Sequence, residues 1–302
     1  MPEHIKRFIA CPPYVEVISA LSELTLMTVS LPKPPTTLVT ADRLLNVLQI
    51  TDLHLHADPA TIIHGNHLQH NFESVLAQAL AEALRCDLIL VTGDLVSEVN
   101  PVIYERIYQR LCETGIPFAC IAGNHDVTDE TVKQLPFAQR RLIAKPANAN
   151  LVNHHVIETP DWQILLIDTS VPGQVAGKIH PDSVAWLRHQ LTQCDKPALL
   201  TLHHHVLPMQ SAWIDAHMAE NPAVLWDLLA DFPQVRALVH GHTHQEQVLH
   251  KQGVTVYATP ATSYQFLPQV AEFAYDQQAR PGYRWLQLAP NGEIESWVRR
   301  LL

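Results

Sequence analysis

From residue 44 to residue 245 the chain alternates short apolar runs with longer segments of helical period, the signature of β/α units around a buried sheet. Five runs set the frame: "LLNVLQI" (44–50), "CDLILVTG" (86–93), "IPFACIAG" (116–123), "PALLTL" (197–202) and "VRALVH" (235–240). A further strand, "WQILLIDTS" (162–170), ends in the Asp-Thr-Ser of a turn. Three helices are predicted between them. Asn71 caps "FESVLAQALAEALR", "PVIYERIYQRLCETG" stops at Gly115, and "PDSVAWLRHQLTQ" carries proline in its first turn. Past residue 245, "QVLHKQGVTVYATP" and "GYRWLQLAPNGEIESWVRRL" read as strands joined by Gly and Asn-Gly turns, the second pair a hairpin.

Each of the five runs ends at a polar cluster, and in sheets of this kind ligands bind outside the carboxyl ends of strands. After the first comes "TDLHLHAD", with Asp52 and His54 two residues apart; on a continuing strand both side chains leave the same side. Gly93 presents Asp94 after the second, and Gly123 opens a loop of Asn124, His125 and Asp126 after the third. The fourth ends in "LHHHV", and the fifth in "HGHTHQE", where His242 and His244 repeat the spacing by two. Any one cluster alone reads as an ordinary turn. Five in series predict a shared site of imidazole, carboxylate and amide donors, which suits Mn, Fe, Zn or Co rather than a thiolate zinc site or a calcium cage. Two ions about 3.5–4 Å apart are most simply held by a shared carboxylate, and Asp94 is the candidate bridge.

Composition narrows the setting. The 302 residues are 47% hydrophobic and 17% charged, as in a folded enzyme of the α/β class built as one domain with additions. A net charge of −10 argues against binding DNA or RNA through phosphate neutralisation. The five cysteines, Cys11, Cys86, Cys112, Cys120 and Cys194, share no CxxC spacing and are read as reduced core thiols. No stretch stays apolar for the ~18–20 residues of a membrane span. The N-terminal run is broken by Pro12, Pro13, Glu16 and Glu23, so no membrane association is expected and the location is read as cytoplasmic.

The order DxH, GD, GNHD, HH and GHxH resembles the calcineurin-like metallophosphoesterase superfamily over residues 44–250. "QITDLHL", "LHHHVLP", "ATPATSYQF" and "PGYRWLQL" look closer to the bacterial class III 3′,5′-cyclic AMP phosphodiesterases, almost to the C-terminus. The resemblance implies a four-layer αββα sandwich of two mixed β-sheets flanked by helices. It implies one metal held by Asp52, His54, Asp94 and His244, and a second by Asp94, Asn124, His203 and His242, two divalent ions of Fe and/or Mn with Zn or Co as alternatives. His125 would be catalytic, as acid or transition-state donor, with Asp126 to orient its ring. His54, Asn124, His125 and His205 would meet the substrate. The implied reaction is hydrolysis of 3′,5′-cyclic AMP to 5′-AMP by a metal-bridging hydroxide. The alternatives are another small phosphodiester, such as a 2′,3′-cyclic nucleotide or a glycerophosphodiester, or a phosphomonoester. With all seven ligand positions filled, a silent scaffold is the weaker reading.

Within "LHHHV", His203 is the expected ligand, His204 points away by alternation, and His205 returns to the site side. His64, His67 and His70 are read as solvated loop residues, as are Asp58 and Glu98. "TPATSYQF" is a candidate lining of the substrate pocket. Residues 41–302 are read as the catalytic domain and 1–40 as an N-terminal extension without counterpart in the related enzymes. Met27 is the candidate true start, which would make residues 1–26 dispensable. A monomer or a homodimer is expected, with a small cyclic nucleotide as the partner.

Overall fold

The computed structural model describes residues 36–37, 44–126 and 155–302. Cys11, Met27 and the segment 1–26 lie outside the described residues. Thr36–Thr37 form β1, followed by β2 (Leu45–Ile50), β3 (Ile62–Ile63), β4 (Asn66–His67), α1 (Leu68–Ala81), β5 (Leu88–Thr92), α2 (Pro101–Glu113) and β6 (Phe118–Ile121). After residue 155 come β7 (Val156–Glu158), β8 (Gln163–Leu166), α3 (Pro181–Gln193), β9 (Ala198–Thr201), α4 (Ala212–Asp215), α5 (Pro222–Leu229) and β10 (Val235–His240). The chain closes with β11 (Gln247–Lys251), β12 (Val254–Ala258), β13 (Gln265–Phe266), β14 (Tyr275–Asp276), β15 (Gly282–Leu288) and β16 (Ile294–Arg300).

Two mixed sheets carry the fold, one in the order β16-β15-β2-β5-β6 and the other in the order β1-β7-β8-β9-β10-β12-β11. In the first, β2, β5 and β6 run parallel while β15 joins β2 antiparallel. In the second, β8, β9, β10 and β12 run parallel between antiparallel β7 and β11. Successive strand residues face opposite sides, and here both sides are apolar. Leu48 and Ile50 of β2, with Ile89 and Val91 of β5, pack under Phe72, Ile103 and Ile107 of α1 and α2. Leu45, Val47, Leu88 and Leu90 turn the other way, against Ile164, Leu166, Leu199 and Val239 of the second sheet. That sheet's far face, through Leu165, Leu200 and Leu238, packs on Leu187 of α3 and Leu225 of α5. Three cores between four layers make the expected αββα sandwich. Burial on both faces is why these strands read as continuous apolar runs in the sequence.

Polar residues pin the two sheets at one end. Gln49, fully buried, donates to Thr92 Oγ1 at 2.9 Å and accepts from Thr259 Oγ1 at 2.6 Å. The metal-ligand motifs follow immediately on β2, β5, β9 and β10, so this clamp fixes the floor from which they project.

Two local readings change. The cap of α1 is His67, whose Nδ1 accepts from the backbone N–H of His70 at 3.2 Å, and Asn71 lies inside the first turn, donating to Ser263 O at 3.1 Å. Helical geometry begins four residues early because the β3–β4 hairpin delivers the chain directly into the helix. Thr36 and Thr37, expected in the extension, pair with Ile157 and Glu158 at the edge of the second sheet. The predicted hairpin β15–β16 forms, with Gly292 at φ 87°. Cys86, Cys112, Cys120 and Cys194 are thiols outside any disulfide. Among the described residues no helix is long and apolar enough to cross a membrane.

Candidate metal centre

Five of the residues singled out at strand ends adopt left-handed backbone: Asp52 (φ 52°), His54 (47°), Asp94 (50°), His242 (67°) and His244 (48°). Non-glycine residues rarely do so, and such conformations gather where a site over-determines them. This corrects the expectation that Asp52 and His54 share a side by strand alternation, since β2 ends at Ile50. Convergence comes from two loops that brace each other: Asp52 N–H donates to Gly93 O at 3.0 Å and His54 N–H to Asp94 O at 3.0 Å. Glycine is required where the loops touch. A Cβ on Gly123 would stand 2.1 Å from Asp94 Oδ1, and one on Gly93 2.3 Å from His203 Nδ1.

The side chains meet in two overlapping groups. His54 Nε2 lies 3.2 Å from His244 Nε2, and His244 Nε2 3.3 Å from Asp52 Oδ1. Asp94 Oδ2 stands 3.6 Å from His54 Nε2 and 3.4 Å from His203 Nε2, while His203 Nε2 stands 3.2 Å from Asn124 Oδ1. His242 closes the second group, its ring 5.1 Å from that of His203. Asp52, Asp94, His203, His242 and His244 are all buried. All seven predicted ligand positions are therefore brought together, with Asp94 between the groups.

The ring nitrogens are already sorted. His203 Nδ1 is held by Thr92 O at 2.8 Å and His244 Nδ1 by Tyr264 O at 2.7 Å, so each turns Nε2 inward. Backbone carbonyls on the outer nitrogen are the usual way a ligating imidazole is oriented. Burial opposes charge on Asp52 and on Asp94, but His244 beside the first and His203 and His54 beside the second outweigh it and lower both pKa values. Burial also drives His54 down to about 3, keeping it neutral with its lone pair available. For His203 burial works against protonation, yet the Asp94 carboxylate prevails and raises it to about 9. Two buried carboxylates facing several imidazoles, with two Nε2 atoms at 3.2 Å, form a donor set that cations would satisfy and an apolar interior would penalise. The residues fit two divalent ions.

His125 sits at the rim, exposed, with its ring edge-on to His54 at 4.8 Å. Its Nδ1 is held by Ser97 O at 2.9 Å, and its backbone N–H donates to Asp94 Oδ1 at 2.9 Å. Asp126 does not orient the ring, as expected from adjacency. Its carboxylate points into the core, accepting from Gly123 N–H at 2.9 Å, Leu95 N–H at 3.2 Å and Tyr104 Oη at 2.8 Å. Burial, with the nearby Asp94 charge, raises Asp126 to about 6.

The three consecutive histidines separate. His203 joins the ligand cluster, and His204 engages Thr169 Oγ1 at 2.8 Å and Val175 O at 3.1 Å through its two nitrogens. His205, expected to touch substrate, is fully buried, with Nε2 3.6 Å from Asp215 Oδ1 and its ring stacked on His242 at 5.7 Å. The chain leaves β9 at Thr201, so alternation no longer returns His205 to the open side. Sequence reasoning passed over Ser97, and left Tyr264 and Phe266 inside an undecided segment. Phe266 stacks on His244 at 4.1 Å and Tyr264 on His54 at 5.5 Å, and the "SYQF" aromatics just past β12 were their only signal.

Comparison with known proteins agrees with this geometry. The family model for calcineurin-like phosphoesterases matches residues 45–246. The chain is 54% identical over 273 residues to a probable cyclic nucleotide phosphodiesterase of Psychrobacter arcticus, covering 89% of this chain and 98% of the relative. It is 32% identical to a 3′,5′-cyclic adenosine monophosphate phosphodiesterase of Pseudomonas aeruginosa, covering 84% of this chain and 89% of that one. A dimetal phosphatase from Danio rerio shares the fold with a TM-score of 0.55 at 14% identity, covering 85% of this chain and 99% of that one. A site of this donor set on this sandwich, with relatives that span nearly the whole described chain, places the protein in the calcineurin-like phosphoesterase family, whose members use a dinuclear metal centre.

Proposed function

We propose that this chain is a dinuclear-metal phosphodiesterase that hydrolyses 3′,5′-cyclic AMP to 5′-AMP, with residues 41–302 as the catalytic domain. The observation that carries the two-ion part is Asp94, whose Oδ2 lies within 3.6 Å of His54 on one side and 3.4 Å of His203 on the other. Asp52, His54, Asp94 and His244 would hold one ion, and Asp94, Asn124, His203 and His242 the other; the mixed nitrogen and oxygen donors suit Mn, Fe, Zn or Co, and the resemblance adds the preference for Fe and/or Mn. The cyclic-nucleotide part is supported by the names its relatives carry.

When bound, such ions lower the pKa of a coordinated water toward ~7 and neutralise phosphoryl charge. The chain's own residues supply the rest. His125 is fixed through Nδ1 on Ser97 O, which leaves Nε2 as the ring atom available to the substrate. From the doubly protonated ring it would donate there to a phosphoryl oxygen, or deliver that proton to the ribose 3′ oxygen as the attacking water forms a new P–O bond and the P–O3′ bond breaks. His54, whose ring meets that of His125 at 4.8 Å, and the half-buried Asn124 beside it would contact the phosphate. Asp94 couples the two functions, since its Oδ1 anchors the His125 backbone while Oδ2 faces the ligand cluster.

The test is kcat/KM with 3′,5′-cyclic AMP, 2′,3′-cyclic AMP and a glycerophosphodiester, each with Mn or Fe supplied. Preference for the 3′,5′ diester with 5′-AMP as sole product is expected. Rapid turnover of another ester beside slow cyclic AMP hydrolysis would overturn the substrate and leave the reaction class.

A further inference from the structure

A cavity of about 450 Å³ opens beside the ligand cluster, lined by His64, Asn66, Tyr264, Tyr275, Gln277 and Arg280 among others. That volume falls within the ~300–1,000 Å³ typical of small-molecule sites. A ladder of rings connects it to the metal-ligand residues. Tyr264 stacks on His54 at 5.5 Å and 21°, meets His64 edge-on at 6.2 Å, and His64 lies over Tyr275 at 3.7 Å. The cavity therefore begins one ring away from a residue assigned to the phosphate end of the site.

His64 occupies a left-handed turn position. It and Gly65 form the two-residue turn between β3 and β4, with φ values of 47° and 78°. A turn with both central residues left-handed favours Asn-Gly, because asparagine tolerates that backbone better than other side chains do. Here an exposed histidine occupies the place, with its ring 3.7 Å from that of Tyr275. Histidine tolerates left-handed backbone better than most side chains, and here its ring adds to the aromatic lining of the cavity.

We propose that this cavity is the nucleobase subsite, with a purine stacked against the His64–Tyr275 pair, meeting Tyr264 edge-on, and its polar edge toward Gln277 and Arg280. The inference rests on the cyclic-nucleotide reading above for the identity of its ligand. Stacking of a base on aromatic side chains is worth about 1–3 kcal/mol, which corresponds to roughly 5- to 150-fold in affinity. The exposed Gln277 and Arg280 offer donors that would favour a base with ring acceptors.

The test compares inhibition constants of 5′-AMP and ribose 5-phosphate against a chromogenic phosphodiester, using the full-length metal-loaded protein, His64→Asn and Tyr275→Leu. His64→Asn keeps a residue suited to the turn, so a loss cannot be assigned to hairpin collapse. The wild type is expected to bind 5′-AMP at least about 10-fold more tightly than ribose 5-phosphate, and both variants to reduce that ratio to within about 2-fold. A wild-type ratio near one, or variants that keep the full ratio, would overturn the subsite. If the ratio behaves as expected but cyclic AMP is not hydrolysed, the substrate reading fails and the subsite stands. Hydrolysis of cyclic AMP with a ratio near one sinks the subsite alone.

Discussion

Tyr104 on α2 donates its hydroxyl to Asp126 Oδ1 at 2.8 Å inside the core, and Oδ2 of the same carboxylate accepts the backbone N–H groups of Gly123 and Leu95. The GNHD and GD loops are thus tied to each other and to a helix through one buried acid. Removing the hydroxyl leaves that acid short of a partner. Tyr104→Phe is expected to cost about 1–3 kcal/mol of stability, read as a shifted urea midpoint with unchanged slope. An unshifted midpoint would mean that the tie carries no load.

Asp94 faces both ligand groups, so its loss should not be confined to one ion. Asp94→Asn is expected to lower bound metal at both sites and to reduce kcat/KM by more than about 10²-fold, given that even outer-shell changes cost 10- to 100-fold. Metal analysis of the purified variant checks it. Full retention of one equivalent would separate the two sites and contradict the bridging role.

His125 is rim-exposed and held by Ser97 O outside the ligand cluster. His125→Ala is expected to retain both metals and lose about 10²- to 10⁴-fold in kcat, the usual range for a general acid. Asp126→Asn provides the contrast: because its side chain faces Tyr104 and not His125, its first effect should be on stability. Collapse of metal content in His125→Ala would place that ring among the ligands.

Burial pushes the Cys86 thiol up to about 12, from an ordinary value of 9.0 in the unfolded chain. The folded form therefore keeps a proton that the unfolded form loses. The associated stability is full below pH about 9 and is lost as pH rises toward about 12. Cys86→Ala should flatten that part of the stability profile. In the native protein at pH 8 the residue should alkylate slowly, with thiolate on the order of 10³-fold scarcer than in a free cysteine. Rapid modification by iodoacetamide would contradict this.

Gly123 lies 2.1 Å, measured from an added Cβ, from Asp94 Oδ1, too close for the carboxylate to stay. Gly123→Ala should displace Asp94 and abolish metal binding. Gly253, with open space around it, serves as the control; there alanine is expected to strain only the β11–β12 turn, with metal content preserved.

The site was legible in the sequence because strands buried on both faces leave a recognisable apolar run, and whatever follows such a run must sit at the sheet's end. That logic placed Asp52, His54, Asp94, Asn124, the run His203 to His205, His242 and His244 at one end of the sheets, and the family resemblance named the seven ligands among them. It failed beyond the last strand residue. Alternation put Asp52 beside His54 for the wrong reason and His205 on the wrong side, because a chain that leaves a strand no longer keeps period two. Adjacency in the same way paired Asp126 with His125, whereas a 3-10 turn sends one into the core and the other to the rim.

Sequence by itself determined the layered class, the strand order of the ligands along the chain and the chemical type of the donors, since these follow from periodicity and residue identity. Tertiary structure decided which imidazole of His203, His204 and His205 turns inward, which carbonyl fixes each ring, and that Tyr264 and His64, 200 positions apart, line one cavity. Those outcomes depend on left-handed loop residues and on contacts between separate sheets, and neither leaves a periodic trace in the chain.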